Sequence, residues 1–559
     1  MPADPVMRPI LIALCTTLAA ACSTTPVARI ERSGSAAPAT PATTPHAIDV
    51  PAIQRPAGES AAWWYRAGAA RAAANGAMSG HARNVIVFLG DGMSLPTVAA
   101  ARVLAGQRAG QPGEETLLAF EEFPHTALSR TYNTDYQTPD SAGTMTAIAT
   151  GAKTRLGVIG IGQGTKRGQC QDVAANTLLS FLELGESAGL STGVVTTTRL
   201  THATPASVYA HGPDRNWEDD STLPAAAAAA GCRDLARQFI ETRFGDGPEV
   251  ALAGGRARFL PNTAADPEYP QQHGLRRDGR DLIAEWTRAH PDGRYVWSAR
   301  QLADAADAPR LLGLFEPSHM HYDADRAKDA AGEPTLAELT AAALRVLQRN
   351  DKGFVLLVEG GRIDHAHHDG NARRALEDTV AFSEAVRTAA KMTSADDTLI
   401  LVTADHAHTM YFAGYPQRGN PILGKVKGIS GEDAGAGPWA VDKQGLPYTT
   451  LGYANGPGHV APTPGHARPD LSDVDTEALD YLQEAQVPMG AETHGGDDVG
   501  VWARGPGSEA VRGSVEENVL YHFLVQATPA LRARLCAAGT CNADGVPVEL
   551  PKPEDFARP

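Results

Sequence analysis

Three apolar runs in this chain each stop on a carboxylate, and histidines follow two of them. Val85-Ile86-Val87-Phe88-Leu89 ends in Gly90-Asp91-Gly92. Phe354-Val355-Leu356-Leu357-Val358 ends in Glu359, with Asp364, His365, His367 and His368 close behind. Leu399-Ile400-Leu401-Val402 ends in Thr403-Ala404-Asp405-His406. Continuous apolar runs of this length read as parallel strands buried on both faces. In an open α/β sheet, ligands bind beyond the carboxyl ends of the strands. Three strands would therefore deliver Asp, Glu and His to one edge of one sheet. A single run of this kind is explained by a core strand followed by a helix-capping Asp; three with the same ending are not. Oxygen and imidazole donors in that number suit Zn²⁺ and Mg²⁺ together.

The 559 residues allow one large α/β domain with insertions, or several domains. Hydrophobic residues make up 43% and charged residues 20%, which reads as globular rather than disordered. A net charge of −16 lacks the basic footprint that nucleic-acid binding needs. It does not disfavour small phosphate substrates, because a bound metal sets the local sign.

Arg8 and the apolar stretch Pro9 to Ala21, too short to span a bilayer, read as a signal peptide over residues 1–21. Leu18-Ala19-Ala20-Ala21-Cys22 resembles a bacterial lipoprotein cleavage site with Cys22 lipidated, although Ala19 stands where Leu is usual. Ordinary cleavage after Ala21 is the competing reading. The expected location is a periplasm-facing or outer-surface membrane, with a soluble exported protein as the alternative. Residues 22–56, rich in Pro, Ala, Thr and Ser, read as a flexible tether. A catalytic domain is expected over 57–545 and a C-terminal tail over 546–559. Export permits disulfides. With Cys15 and Cys22 in the leader, Cys170, Cys232, Cys536 and Cys541 remain, which allows three pairings. Cys536 and Cys541 are close enough for a small loop, and Cys170 would then pair with Cys232. No Cys-x-x-Cys pair is present, so thiolate zinc binding is not indicated.

Strand and helix patterns alternate, which implies βα units and a mainly parallel sheet. Glu59 to Met78 reads as a helix ending near Gly76 or Gly80, and Thr97 to Gly106 as the next. A further helix starts at Ser141 after Pro139-Asp140, and Gly193 to Thr197 is another buried strand. The stretch from about Met410 to Pro488 is rich in Gly and Pro and weak in periodicity. It separates two candidate ligand regions and reads as an insertion over the site.

On a helix, Asp364 and His368 stand four residues apart and share a face, supplying two ligands to one metal. His367 then points elsewhere, to the surface or behind the ligands. Asp405 and His406 lie just past a strand, where a loop can turn both inward. Ser141 sits at a helix start, where backbone N–H groups and the dipole favour negative charge. It reads either as an N-cap or as a nucleophile. No Gly-x-Ser-x-Gly elbow surrounds it, so a hydrolase triad is not indicated, whereas metal coordination can activate a serine.

Asn133-Thr134-Asp135 with Pro139-Asp140-Ser141-Ala142-Gly143-Thr144 resembles the nucleophile motif of alkaline phosphatases. Phe88 to Met93 resembles their first metal strand, and the segments Glu359 to His368, Thr403 to His408 and Glu492 to Gly496 resemble the remaining ligand blocks in family order. The resemblance implies a three-layer α/β sandwich with a crown-like insertion at 410–488. It implies hydrolysis of phosphate monoesters through a phosphoserine at Ser141, with Arg215 clamping phosphate. Asp364, His368 and His494 would hold one zinc, and Asp405, His406 and Asp91 a second. Asp91 would also reach a magnesium held by Glu359 and Thr204. His202 and His365 resemble the animal-type enzymes, where the enteric bacterial type carries Asp and Lys; both would lie beside the metals. Gly414 to Asn420 resembles the animal-type crown at a homodimer interface, and Glu59 to Met78 the arm that embraces the partner. The Cys170–Cys232 pairing fits the same pattern. Glu268, the Phe315 carbonyl, Glu316 and Glu333 would form a calcium site. A phosphodiesterase, a sulfatase or an inactive phosphate-binding lipoprotein are weaker readings, because Thr204, Glu359, Ser141 and Arg215 are all present and no Cys/Ser-x-Pro-x-Arg setting surrounds Ser141.

Overall fold

The computed structural model describes residues 59–428, 439–462, 464–465 and 467–558. The expected leader, tether and lipidated Cys22 fall outside them. A ten-stranded sheet forms the centre. In chain order its strands are β1 (Asn84–Gly90), β2 (His125–Arg130), β3 (Ser191–Arg199), β4 (Val250–Gly254), β5 (Arg294–Val296), β6 (Leu311–Leu314), β7 (Phe354–Gly360), β8 (Thr398–Thr403), β9 (Val499–Arg504) and β10 (Gly513–Glu516). They lie side by side as β10-β2-β9-β8-β1-β7-β3-β4-β6-β5. Only β9 runs antiparallel to its neighbours β2 and β8. The three apolar runs read from the sequence are β8, β1 and β7, adjacent at the centre, with Leu89 of β1 level with both Glu359 and Thr403.

Side chains alternate across these strands, and both faces are buried, so neither needs a polar residue. Val85, Val87, Leu89, Leu357 and Leu401 join one core with α3 (Ser141–Thr150) and α7 (Val519–Ala527). Ile86, Phe88, Leu356, Val358 and Val402 join the opposite core with α2 (Leu95–Arg108), α4 (Leu336–Leu347) and α6 (Ala372–Met392). Each such side chain contributes roughly 1.5–3 kcal/mol by leaving water. The result is the expected three-layer sandwich. The short helix α5 (Arg362–His368) follows β7 directly.

Helix α1 (Ala61–Ala74) is shorter than its expected span, with Ser60 as its cap. It docks on its own chain: Gln526 and Asn518 of α7 donate side-chain amides to the Ala69 and Trp64 carbonyls at 2.8 Å. The segment beyond 545 is not peripheral either, since Val546 and Val548 pack on Ala69 and Ala73, and Phe556 enters the main core. The 410–488 stretch contributes strands Met410–Phe412, Leu451–Gly456 and Ala485–Pro488, which form a separate three-stranded sheet. Disulfides join Cys170 to Cys232 and Cys536 to Cys541. Such bonds persist in oxidising compartments. Among the described residues, no helix is long and apolar enough to cross a membrane.

Helix α3 ends on Gly151, whose φ of +79° requires glycine and whose missing side chain lets α7 approach. A Cβ there would stand 2.6 Å from Tyr521 Cδ1 and 2.8 Å from His522 Nε2. Left-handed strain and overpacking together should make Gly151→Ala destabilising by roughly 2–5 kcal/mol. A melting curve should shift down by several degrees; an unchanged midpoint would show that this contact is slack.

Candidate metal centre

Asp91 follows β1, Glu359 lies at the end of β7, and Asp405-His406 follow β8, so strand order alone sets these groups side by side. Helix α5 adds Asp364 and His368 from one face. His494 arrives through a two-residue antiparallel pairing in which His494 lies opposite His408 and Gly495 opposite Ala407.

The imidazoles show what this arrangement lacks. His368 Nδ1 lies 2.6 Å from the Glu492 carbonyl oxygen, and His494 Nδ1 lies 2.8 Å from the Pro139 carbonyl oxygen. A carbonyl only accepts, so each Nδ1 carries the proton and each Nε2 presents a bare lone pair. Those two Nε2 atoms stand 3.1 Å apart, each 3.4 Å from Asp364 Oδ1. His406 repeats the pattern: its Nδ1 faces the Ala407 carbonyl, and its Nε2 lies 3.3 Å from Asp91 Oδ1 and 3.5 Å from Asp405 Oδ2. Lone pairs and carboxylates converging without a proton between them are the donor set of a cation. Asp364, His368, His408 and His494 form one such group, and Asp91, Asp405 and His406 a second.

Asp91, His202 and Glu359 form a third. Asp91 Oδ2, Glu359 Oε1 and the Thr204 hydroxyl are buried there and make no hydrogen bond. Burial, then the charges of Asp405 and Asp364, raise the Asp91 carboxyl well above its ordinary value. Burial also raises Asp405, and raises Glu359 to about 7 although the Thr196 hydroxyl opposes the shift. Burial would raise Asp364 as well, but His368 and His408 hold it well below. The residues therefore fit hard and borderline divalent metals.

Ser141 is the first residue of α3, and Asp140, not Ser141, is the N-cap. The Ser141 Oγ lies 3.1 Å from His406 Nε2 and 3.4 Å from Asp91 Oδ1. Asp140 Oδ1 accepts from the Gly143 and Gly157 amides, while Oδ2 receives Arg215 Nη1 at 3.0 Å. Arg215 Nη2 reaches His202 Nε2 at 3.2 Å. His202 packs against His365, with ring centroids 5.3 Å apart, and His319 stands 4.2 Å from His365. Burial lowers His365 to about 3 and His202 well below its ordinary value, so both are neutral.

Every expected zinc, magnesium and nucleophile residue thus gathers within one site, while three supporting residues escaped the sequence reading. His408 bridges Glu492 Oε2 at 2.6 Å and Asp364 Oδ1 at 2.7 Å. Asp140 ties the arginine to the nucleophile helix. His367 is not at the surface: it is fully buried between the Thr97 hydroxyl and the Tyr453 phenol. Two-residue alternation from His406 along an extended segment was the available signal for His408. Its ring fits because residue 92 is glycine, where a Cβ would come within 2.3 Å of His408 Cδ2.

The expected calcium set is divided. Glu268 and Glu316 group with Asp329, whereas Glu333 groups with Glu316 and His321. A short turn of helix at Arg326–Lys328 precedes Asp329, and the His321 amide holds Glu333. Burial, then Asp329, raises Glu268 to about 7; burial, then Glu333, raises Glu316 to about 8.

The alkaline phosphatase family description matches residues 82–530. The chain is 43% identical over 454 residues to the tissue-nonspecific alkaline phosphatase of Gallus gallus, covering 80% of this chain and 84% of that one. It is 44% identical over 453 residues to the alkaline phosphatase of Gadus morhua, covering 80% and 91%. Among solved structures it is similar to Thermus thermophilus alkaline phosphatase, over 81% of this chain and 92% of that one, with a TM-score of 0.57 at 26% identity. A mutant TAB5 alkaline phosphatase with Mg bound in its M3 site shares the fold, over 80% and 98%, with a TM-score of 0.55 at 21% identity.

Groups that orient metal ligands typically account for 10–100-fold in metal affinity. His408→Ala leaves Asp364 and Glu492 buried without their shared donor, so chelator competition should show zinc affinity reduced by about that factor. Wild-type affinity in the variant would mean that His408 only fills space.

Proposed function

The chain belongs to the alkaline phosphatase family and is a phosphoric monoester hydrolase, and we propose that Ser141 is its nucleophile within a three-metal centre. Asp364, His368 and His494 would hold one zinc, Asp91, Asp405 and His406 a second, and Asp91, Glu359 and Thr204 a magnesium. The observation that carries this reading is the pair of bare Nε2 lone pairs 3.1 Å apart on Asp364, beside a second such group that faces Ser141 Oγ. When bound, these metals supply Lewis acidity to hydroxyl, water and phosphoryl oxygens.

The chain's own residues would do the rest. Ser141 Oγ attacks phosphorus, the phosphorus–oxygen bond to the alcohol breaks, and the alcohol leaves with that electron pair and gains a proton. Water then cleaves the phosphoserine, releasing inorganic phosphate and restoring Ser141. The N-terminal amides of α3 favour the negative charge that gathers there. Arg215, held by Asp140, presents a planar guanidinium suited to two equatorial phosphoryl oxygens. His202 and His365, being neutral, would hold product phosphate less tightly than charged groups.

Finer assignments belong to the same proposal. Glu268, Glu316, Asp329 and the Phe315 carbonyl form an all-oxygen set suited to calcium. Lipidation at Cys22 would anchor an exported protein. Exposed Phe412, Tyr415, Val460, Val487 and Met489 on the insertion support a homodimer that covers this face.

Ser141→Ala should lower turnover of an aryl phosphate on the order of 10³-fold or more and abolish the acid-stable phosphoenzyme. Phosphoenzyme trapped at wild-type levels in the variant would sink the nucleophile assignment.

A further inference from the structure

The expected calcium region holds a nitrogen donor that calcium does not favour. Glu316, His321 and Glu333 offer ligand atoms that all lie within 4.8 Å of one another. His321 Nδ1 stands 3.2 Å from Glu333 Oε2 and 3.8 Å from Glu316 Oε1. Ligands at 2.0–2.1 Å from a tetrahedral ion are spaced about 3.4 Å apart, so these separations straddle the edge of a zinc-type polyhedron. The carboxylate side chains are sealed, 8% exposed for Glu316 and 1% for Glu333. The His321 Nδ1 atom is itself buried and hydrogen-bonded to neither of them. A second, independent observation points to cations here. The Glu268 side chain, 6% exposed and in the adjoining group that shares Glu316, leaves its Oε1 without any hydrogen-bond partner despite Arg256 at its other oxygen.

We propose that Glu316, Glu333 and His321 form a site for a borderline transition dication, zinc foremost, next to the all-oxygen group and sharing Glu316 with it. Calcium takes oxygen ligands and gains little from an imidazole, whereas zinc binds imidazole and carboxylate together. The placement gives such an ion structural work. Glu316 and His321 bracket the segment that carries His319, whose ring lies against His365, and Tyr322, whose ring lies 3.8 Å beneath the Arg362 guanidinium. An ion here would pin the outer wall of the phosphate end of the active site from behind, without touching substrate.

The test is metal counting on the full-length protein. Apo protein is dialysed against Zn²⁺ with Ca²⁺ present, and bound metal is measured for wild type, His321→Gln and Glu268→Gln, with circular dichroism checking the fold. His321→Gln should bind one zinc equivalent fewer per chain while keeping calcium, and Glu268→Gln should keep that zinc. Equal zinc in wild type and His321→Gln would overturn the proposal. Anomalous scattering at the zinc edge from wild-type crystals decides the matter without a variant. A peak bonded to His321 Nδ1 supports the site. Calcium there, or an imidazolium resting directly on Glu333, refutes it.

Discussion

Uncompensated negative charge, buried at the end of a parallel sheet, is the constraint on which the rest of this molecule depends. Asp91, Glu359, Asp364 and Asp405 are almost wholly removed from water. Desolvating one carboxylate without a partner costs several kcal/mol, and several together repel each other as well. The metal-free chain answers by raising Asp91, Asp405 and Glu359 and by leaning imidazoles on Asp364. Divalent cations are the chemical remedy, because each can accept several of these oxygens at once. The sheet's contribution is rigidity: β8, β1 and β7 are hydrogen-bonded neighbours with both faces packed, so their ends cannot splay apart to relieve the repulsion.

The phosphate end balances charge differently. Asp140 carries one carboxylate between two duties, capping α3 through the Gly143 amide and pairing with Arg215. The nucleophile and its phosphate clamp are therefore placed by the same side chain, and a shift in one is felt by the other. Around Arg215 the imidazoles of His202, His365 and His319 are all depressed by burial, so they add hydrogen-bonding shape without adding positive charge. A site built this way relies on Arg215 and the metals for anion binding.

The legible parts of this architecture were those written in contiguous residues. Unbroken apolar runs located β1, β7 and β8, and the four-residue spacing of Asp364 and His368 located α5. Residues joined by tertiary pairing were harder to see. Family resemblance supplied His494, while the antiparallel pairing that brings it opposite His408 has no local signature across 86 positions. Glu492 was quoted only as part of a motif, although its carboxylate holds His408 and its carbonyl orients His368. His367 was misjudged because an isolated α5 would expose it; only the surrounding structure buries it. At the calcium region, resemblance favoured Glu333 by its place before Pro334, but the turn at 326–328 admits Asp329 and turns Glu333 toward His321.

Helix α5 explains why the insertion belongs to the site rather than decorating it. Seven residues are too few for a helix to stand alone, since nucleation is unfavourable and each added bond contributes little. Its start is held from β3, where the Thr197 hydroxyl accepts from the Gly361 and Arg362 amides. Its middle is held by His367, between Thr97 of α2 and Tyr453 of the insertion sheet. Its end is held by Glu492, whose amide donates to the His368 carbonyl and whose own carbonyl receives His368 Nδ1. Two of these three anchors lie within or immediately after the 410–488 segment. The sheet alone would place Asp91, Glu359 and Asp405, but the orientation of Asp364 and His368 requires the insertion to be folded and docked. Metal binding in this chain is thus coupled to the one region whose sequence shows the least regular pattern.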